Sequence, residues 1–399
     1  MEAPDKSRLR ENGFIPSYAF LFAVPAVSGP YLAILIRDLG YSPMWVGILL
    51  GVSAGAGIVG PFVFGFWADK TGNYRNALVV SLVLPALLAF PLVLFVHPAL
   101  SAVFLALIAF GNRSSFALLD SVTTIQIGQA GNYGKIRVWG SISFIFVALS
   151  LQVTPVLRPD NARNIALWLT LAAAASVLPI LFLPRASLGS SAGPRIEGKG
   201  GEKGIPILSA YVLGGLGIIF AISFSMSAIY SYFPLYLSEV LQWNVVGLMF
   251  AVGTASEIPF IFLSAALLRR FGPLPLLAAS AAGVVLRLLI LAFLPFGPFV
   301  FVSQTLHALC FGTFFPAKVY FIASVFPPQN RGKGMSLFVA LGVGLPSLVG
   351  TMAGGAILEA SPGAAGFRSL FVLYAAVAGL GVLVYCAMRL GRVWEERRG

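Results

Sequence analysis

The chain has 399 residues, of which 58% are hydrophobic and 10% are charged, whereas a soluble domain carries about 25% charged residues. The mean hydropathy of +0.91 therefore excludes an ordinary soluble protein and indicates that lipid surrounds most of the chain. The net charge of +12 is better explained by basic residues flanking membrane spans than by nucleic-acid binding, so no nucleic-acid partner is expected.

Twelve apolar stretches follow one another along the chain, and each is long enough to cross about 30 Å of hydrocarbon as a helix. Their predicted limits are 14–37, 43–68, 76–97, 100–128, 134–157, 163–183, 207–238, 243–268, 274–295, 298–325, 331–358 and 366–389. The first stretch is longer than the apolar core of a signal peptide, so we expect it to be retained as the first helix. The sequence thus predicts an all-α integral membrane protein.

Basic residues are distributed unevenly between the two sides of these spans. If the N-terminus is cytoplasmic, nineteen of the 26 lysines and arginines lie on that side, three lie within spans and four lie outside. The four outside are Arg37, Arg158, Arg163 and Arg368. Because positively charged loops are retained in the cytoplasm, this bias predicts that both termini are cytoplasmic. We expect a multi-pass protein of a bacterial inner membrane.

Residues 185–206 are rich in glycine, serine and charge, which is typical of a flexible cytoplasmic linker. This linker separates residues 1–184 from residues 207–390, and residues 391–399 form a cytoplasmic tail. Each half contains six predicted spans, and the second span of each carries a Pro-Phe-x-Phe sequence followed by a glycine. The repeat predicts a transporter with two pseudo-symmetric six-helix halves and a substrate site near the middle of the membrane.

A short polar loop follows the second predicted span, with the sequence Gly65-Phe-Trp-Ala-Asp69-Lys70-Thr-Gly72-Asn-Tyr-Arg75. Its glycines permit a tight turn, and its acid and two bases can latch neighbouring helices on the cytoplasmic face. The alternative is a basic loop that only sets the topology. The sequence resembles the signature loop of the major facilitator superfamily, and the resemblance implies the fold of that superfamily, with Gly65, Asp69, Lys70, Gly72 and Arg75 forming a conformational latch.

A second resemblance begins at the fifth predicted span. Tyr133-Gly-Lys-Ile-Arg137-Val-Trp139-Gly140-Ser141 is similar to the Tyr-Gly-Arg-x-Arg-x-Trp-Gly-Ser pattern of 3-phenylpropionic acid transporters and their lactose permease relatives. Glu257-Ile-Pro, Arg287, Leu306-His307-Ala and Arg331-Gly-Lys-Gly-Met335 extend the likeness over almost the whole chain. Because those relatives are proton-coupled importers, the resemblance implies proton-coupled import.

The chain departs from lactose permease at one position that bears on this function. In that protein a glutamate follows the histidine of the tenth span by three residues and takes part in proton transfer, whereas this chain has Cys310. A thiol is a much weaker acid than a carboxyl group and a poor substitute for it. Any proton carrier is therefore expected elsewhere.

Two acidic residues, Asp120 and Glu257, fall well inside predicted spans. A carboxylate at membrane depth costs about 2.5 to 3.5 kcal/mol, so each is a candidate for function. Glu257 is our first choice for the proton carrier, and a hydrogen-bonded structural role is the alternative. Asp120 is expected to meet Arg137 or Arg113, either for coupling or as a structural ion pair.

Basic residues inside the second half are candidates for binding an anion. Arg287 lies far from a helix end and requires an anionic partner, which Glu257 or a substrate carboxylate can supply. His307 is interpreted either as a hydrogen-bond relay in proton coupling or as an ordinary core residue. Lys318 is expected to reach the cytoplasmic interface by snorkelling.

Aromatic residues and bases inside the spans complete the candidate substrate site. For each aromatic candidate, packing against other helices is the alternative to substrate binding. The full set of predicted substrate-binding residues is Arg287, Arg137, Arg113, Trp139, Tyr18, Tyr31, Phe224 and Tyr230.

The leading functional hypothesis is proton-driven import of a small organic solute, with an aromatic or monocarboxylic acid favoured. A sugar or nucleoside symporter, a proton-driven exporter and a sensor without flux are the alternatives. An enzyme is not expected, because the two histidines, His97 and His307, are far apart in sequence and no nucleophile–base or metal cluster accompanies them. The expected partners are the solute, protons and membrane lipids, with no cofactor besides the coupling proton, and the expected state is a monomer.

Overall fold

The computed structural model describes residues 13–127, 133–154, 157–183, 208–326 and 338–396. Within these ranges the regular elements are helices. Eleven helices are long and apolar enough to cross a membrane, and a bent twelfth passes the same test when its two parts are taken as one span. The described residues therefore confirm the predicted all-α membrane fold.

Six helices are formed by the first half of the chain. Their bounds are α1 Ile15–Asp38, α2 Pro43–Thr71, α3 Tyr74–Leu94, α4 Pro98–Ile127, α5 Tyr133–Val153 and α6 Ala162–Leu181. Asparagine side chains cap two of them: Asn73 accepts a hydrogen bond from the backbone N–H of Asn76, and Asn161 from that of Asn164. Gly72 ends α2 with φ of +67°, a left-handed conformation that glycine adopts without strain.

The helices of this half pack closely, α1 against α5 and α6, and α4 against α2 and α3. At Gly60 a Cβ atom would lie 2.2 Å from the carbonyl oxygen of Phe110, and at Gly111 a Cβ atom would lie 2.3 Å from that of Ser81. Such distances leave no room for a side chain. Glycine at these two positions therefore lets α4 approach α2 and α3, as small residues do in membrane helix pairs.

The second half also forms six helices. Their bounds are α7 Ala210–Val240, α8 Val246–Phe271, α9 Pro273–Phe293, α10 Gly297–Val325, α11 Ala340–Ala360 and α12 Ala364–Glu396. Three of them contain π-helical turns, at Ala228–Tyr232 and Tyr236–Val240 in α7, Ala308–Gly312 in α10 and Ala340–Gly344 in α11. Helix α8 bends by 56° just after Pro259, where the missing N–H weakens the helix.

The described chain divides into two compact units. The first comprises the described residues within 1–194 and 243–251, and the second comprises those within 195–242 and 252–399. The predicted linker at 185–206 lies outside the described residues, and residues 391–396 of the predicted tail form the end of α12. The predicted domain limits stay a prediction. The Arg331–Met335 sequence also lies outside the described residues.

Candidate transport sites in the two units

An ion pair joins α4 and α5 in the first unit. Nη1 of Arg137 donates to both carboxylate oxygens of Asp120, at 2.8 and 3.0 Å. The hydroxyl of Tyr18 in α1 donates to Oδ1 of the same carboxylate at 2.7 Å. Both side chains of the ion pair are 35% exposed. These contacts connect α1, α4 and α5. The ion pair between Asp120 and Arg137 stays partly accessible to solvent.

Phe22 fixes the position of Arg137. The guanidinium carbon lies 5.6 Å from the centre of the Phe22 ring, which is within the range of a cation–π interaction. Gly140, one turn along α5, faces the same ring, and a Cβ atom there would lie 2.5 Å from it. Ser143 donates to the carbonyl oxygen of Ala19 at 2.6 Å. Helix α5 is therefore pressed against α1 where Arg137 meets Asp120.

The other candidates of the first unit differ in their surroundings. Arg113 is exposed, and its Cγ lies 2.9 Å from the position of a Cβ atom on Gly57 in α2. Of the two bases predicted to meet Asp120, the structure thus places Arg137 in contact and Arg113 beside α2. Trp139 is exposed and Tyr31 is buried in α1.

A chain of buried polar side chains connects three helices of the second unit. Nη1 of Arg287 in α9 lies 3.1 Å from Nδ1 of His307 in α10. Nε2 of His307 lies 3.4 Å from Oε2 of Glu257 in α8. Nη2 of Arg287 donates to Oε1 of Gln304 at 2.5 Å. All four residues are buried, and Arg287 is only 2% exposed.

The donor and acceptor roles in this chain follow from the chemistry of arginine. A guanidinium group can only donate, so Nδ1 of His307 accepts the hydrogen bond from Arg287. In the neutral imidazole the proton is then on Nε2, which faces Glu257. Arg287, His307 and Glu257 therefore form a directed chain that ends on the carboxylate. A change in the charge of Glu257 therefore changes the electrostatic environment of Arg287 through His307.

One hydrogen-bond donor of Arg287 takes no part in these contacts with His307 and Gln304. Its Nε atom is buried and has no hydrogen-bond partner among the described residues. The buried thiol of Cys310 lies beside the guanidinium group, and the hydroxyl of Ser280 donates to the carbonyl oxygen of Cys310 at 2.6 Å. Buried donors are nearly always hydrogen-bonded in proteins. The unpaired Nε is therefore a place where an additional acceptor would bind favourably.

Aromatic rings continue from His307 along α10. Phe311 stacks on the imidazole at 5.4 Å, and Phe315 stacks on Phe311 at 6.0 Å. The ammonium group of Lys318 lies 4.9 Å from the ring centre of Phe314 and 5.1 Å from that of Phe315. Lys318 is 8% exposed. The prediction that this side chain snorkels to the interface is therefore wrong, because aromatic rings of its own helix stabilise the charge in place.

Two aromatic candidates of α7 have different surroundings. The ring of Tyr230 meets the imidazole of His307 edge-on at 6.2 Å, and Tyr230 is exposed. The ring of Phe224 packs at 4.7 Å from that of Tyr374 in α12. Tyr230 thus belongs to the polar cluster, whereas Phe224 contributes to helix packing.

The predicted latch loop joins α2, α3 and α6. The hydroxyl of Tyr74 donates to Asp69, and Arg75 donates to the carbonyl oxygen of Leu181 at the end of α6. Lys70 is exposed, whereas Gly65 is partly buried in α2. Arg75 thus donates to a carbonyl group at the C-terminal end of α6, where the carbonyl groups have no partner within the helix. The loop therefore ties three helix ends of the same unit together.

Sequence analysis missed several residues of these clusters. Gln304 precedes His307 by three residues and Phe22 follows Tyr18 by four, so the helical repeat could have placed each on the same face as its neighbour. Tyr74 follows the glycine of the loop and has no such signal.

The chain matches the model of the MFS_1 like family over residues 16–369. The chain belongs to this family. It is 28% identical to the maltose permease of Geobacillus stearothermophilus over 341 residues, which are 84% of each chain. It is 25% identical to the probable 3-phenylpropionic acid transporter of Escherichia coli (strain K12) over 301 residues, 74% of this chain and 77% of the relative. The resemblance to the major facilitator superfamily seen in the sequence is thereby confirmed.

Solved structures share the fold. The nucleoside transporter NupG matches with a TM-score of 0.75 and 17% identity, covering 95% of this chain and 98% of NupG. The inward-open xylose transporter XylE from E. coli matches with a TM-score of 0.67 and 16% identity, covering 96% of this chain and 95% of XylE. The protein is thus a multi-pass membrane transporter of the major facilitator superfamily.

Proposed function

We propose that this transporter imports a small organic acid, aromatic or monocarboxylic, together with protons by alternating access. The proposal places it in a bacterial inner membrane as a monomer with cytoplasmic termini and no cofactor other than the coupling proton. The observation that carries it is the buried chain from Arg287 through His307 to Glu257.

Glu257 is the proposed proton carrier. It is buried, and a carboxylate at membrane depth is stable only when a partner compensates its charge. His307 provides that partner through Nε2. Protonation of Glu257 removes its negative charge and leaves Arg287 without its anion in the same cluster. A substrate carboxylate can then take that role.

This arrangement couples the proton to the substrate. Arg287 is neutralised either by the ionised Glu257 or by a bound carboxylate, so binding of a proton favours binding of the acid and the acid favours binding of the proton. The cluster thus disfavours a bound acid beside an ionised Glu257. Symport requires this preference for the doubly loaded and doubly empty states.

The charges of the second unit favour an acid as the substrate. Among its described buried residues, Arg287 and Lys318 are cationic and Glu257 is anionic. The unpaired Nε of Arg287 is a hydrogen-bond donor for an incoming carboxylate. A carboxylate substrate would satisfy this donor and balance the buried charge.

The first unit contributes the second proposed set of contacts. Asp120, Arg137 and Tyr18 offer a mixture of acceptors and donors, and Asp120 is a second candidate for proton coupling. Such a mixture also suits the hydroxyl groups of a sugar or nucleoside, which is the alternative substrate class. The relatives named maltose permease and nucleoside transporter favour this alternative. A proton-driven exporter is the other alternative, since the same residues could couple opposite fluxes.

Purified protein in liposomes with an internal pH dye tests the proposal. We expect internal acidification when 3-phenylpropionate is added outside, no response to maltose or uridine, and loss of the signal in Glu257→Gln. Radiolabelled 3-phenylpropionate should still exchange across liposomes that contain this variant. Acidification with maltose or uridine would select the alternative class, and uphill uptake by Glu257→Gln would exclude Glu257 as the carrier.

A further inference from the structure

A cavity of about 220 Å³ lies in the second unit, away from the polar cluster around Arg287. It is formed where α7 begins, where α8 turns into α9 and where α12 approaches its end. The residues on which the argument depends are Tyr211, Phe271, Pro273, Tyr385, Met388 and Arg389. With cytoplasmic termini, as proposed above, this end of the helices is the cytoplasmic end.

The chemistry of the cavity suits a phosphate group with an apolar attachment. Arg389 lines it, and Arg270 lies with its guanidinium carbon 5.2 Å from the ring centre of Phe271. Tyr211 and Tyr385 add hydroxyl groups, and none of the described side chains that line the cavity is acidic. Arginine binds phosphate oxygens through charge-assisted hydrogen bonds. The rings and Met388 supply apolar walls.

The turn at Gly272 also favours the binding of an anion in the cavity, although by less than the arginines do. Its φ of +75° lets α9 begin directly after α8, with Pro273 in the first turn and no side-chain cap. The amino end of a helix is electropositive. This end of α9 therefore reinforces the attraction that the two arginines exert on an anion.

Exposed apolar side chains lie along the two helices that lead from the cavity towards the middle of the membrane. Exposed leucines lie along α9 and α12, and they include Leu286, Leu289, Leu380, Leu383 and Leu390. Leu390 directly follows Arg389 in the chain. In a membrane protein such side chains contact acyl chains. A phosphate bound at Arg389 would thus be continuous with hydrocarbon running along these helices.

We propose that this cavity binds the headgroup of an anionic phospholipid of the cytoplasmic leaflet. Its phosphate is held by Arg389 and Arg270, and its acyl chains lie along the leucines of α9 and α12. Basic pockets between helices at the cytoplasmic face bind such headgroups. A bound lipid would join α7, α9 and α12 and stabilise the second unit. The inference depends on the proposed topology and is independent of the proposed substrate.

Thermal unfolding of the detergent-purified full chain tests this site. We expect dioleoylphosphatidylglycerol to raise Tm and dioleoylphosphatidylcholine to leave it unchanged. Arg389→Gln should raise the half-saturating concentration of phosphatidylglycerol about tenfold, as expected for loss of a charge-assisted hydrogen bond, and Arg270→Gln should act in the same direction. Arg163→Gln, which removes one exposed arginine at the first turn of α6, is the matched control and should behave as the wild type.

Each other outcome would overturn the proposal. Equal stabilisation by phosphatidylcholine would show that the headgroup charge is not recognised. An equal effect of Arg163→Gln would indicate attraction to the overall positive charge instead of this cavity. Stabilisation by inorganic phosphate alone, with phosphatidylglycerol adding nothing, would assign the cavity to a free anion. Transport is not measured, so the result does not depend on whether the proposed substrate is correct.

Discussion

The guanidinium group of Arg287 and the imidazole of His307 are in contact, with Nη1 3.1 Å from Nδ1. This contact determines the tautomer of the histidine, because arginine can only donate. The remaining imidazole proton therefore faces Glu257. Arg287 on α9 and Glu257 on α8 are thereby linked through His307 on α10.

Replacement of Arg287 by lysine tests the role of its Nε. Lysine keeps the positive charge and lacks the planar arrangement of donors that can hold a carboxylate through two bonds. We expect the KM for the transported acid to rise at least about tenfold, which corresponds to loss of one charge-assisted hydrogen bond. Initial rates of uptake at varied substrate concentration measure this change. Arg269→Lys, on the exposed end of α8, is the control, and an equal rise there would show that the effect is not local.

Cys310 is expected to be dispensable for proton coupling. The thiol is buried beside Arg287, but Glu257 is the proposed carrier. Cys310→Ala should therefore retain substrate-dependent acidification of liposomes at a rate within about twofold of the wild type, since the volume change is small. Cys386→Ala, at an exposed cysteine, controls for loss of a thiol. Loss of coupling in Cys310→Ala with exchange intact would transfer the proton role to the thiol.

Gly140 is expected to tolerate no side chain. A Cβ atom would lie 2.5 Å from the Phe22 ring, so the ring must move and Arg137 loses its aromatic support. We expect Gly140→Ala to destabilise the protein by about 1–3 kcal/mol, as overpacking does, with a lower Tm. Gly29→Ala is the control, because open space surrounds that position, and alanine favours the helix. A Tm for Gly140→Ala equal to that of the control would contradict the packing of α5 on α1.

Asp120 and Arg137 are expected to be coupled energetically by a modest amount. Their side chains are 35% exposed, and ion pairs with that access to solvent contribute about 1 kcal/mol or less. A double-mutant cycle with Asp120→Asn and Arg137→Gln, measured by thermal unfolding, should give a coupling energy of that size. A larger effect on transport than on stability would support a role in substrate binding. Equal losses of transport and of stability would show that the ion pair has only a structural role.

Hydropathy, motifs and charge in the sequence were enough to predict the membrane spans, the superfamily and the ionisable residues inside the membrane. Hydropathy is a local property, so a stretch of twenty apolar residues identifies a span without knowledge of its neighbours. The cost of charge in hydrocarbon singles out Asp120, Glu257 and Arg287 in the same way. The contacts of Glu257 and Arg287 support the proposed roles but do not test them, so the functions of all three residues stay predictions.

Which side chains meet depends on how the helices pack against one another, and hydropathy does not predict this packing. A helix that is apolar on all faces gives no periodic signal for its rotation about its axis. That rotation is set by close packing between helices, such as Gly60 against Phe110 and Gly140 against Phe22. Asp120 therefore meets Arg137, while Arg113 lies beside α2. The same reason explains Lys318, whose burial among aromatic rings depends on how α10 packs and is invisible in hydropathy.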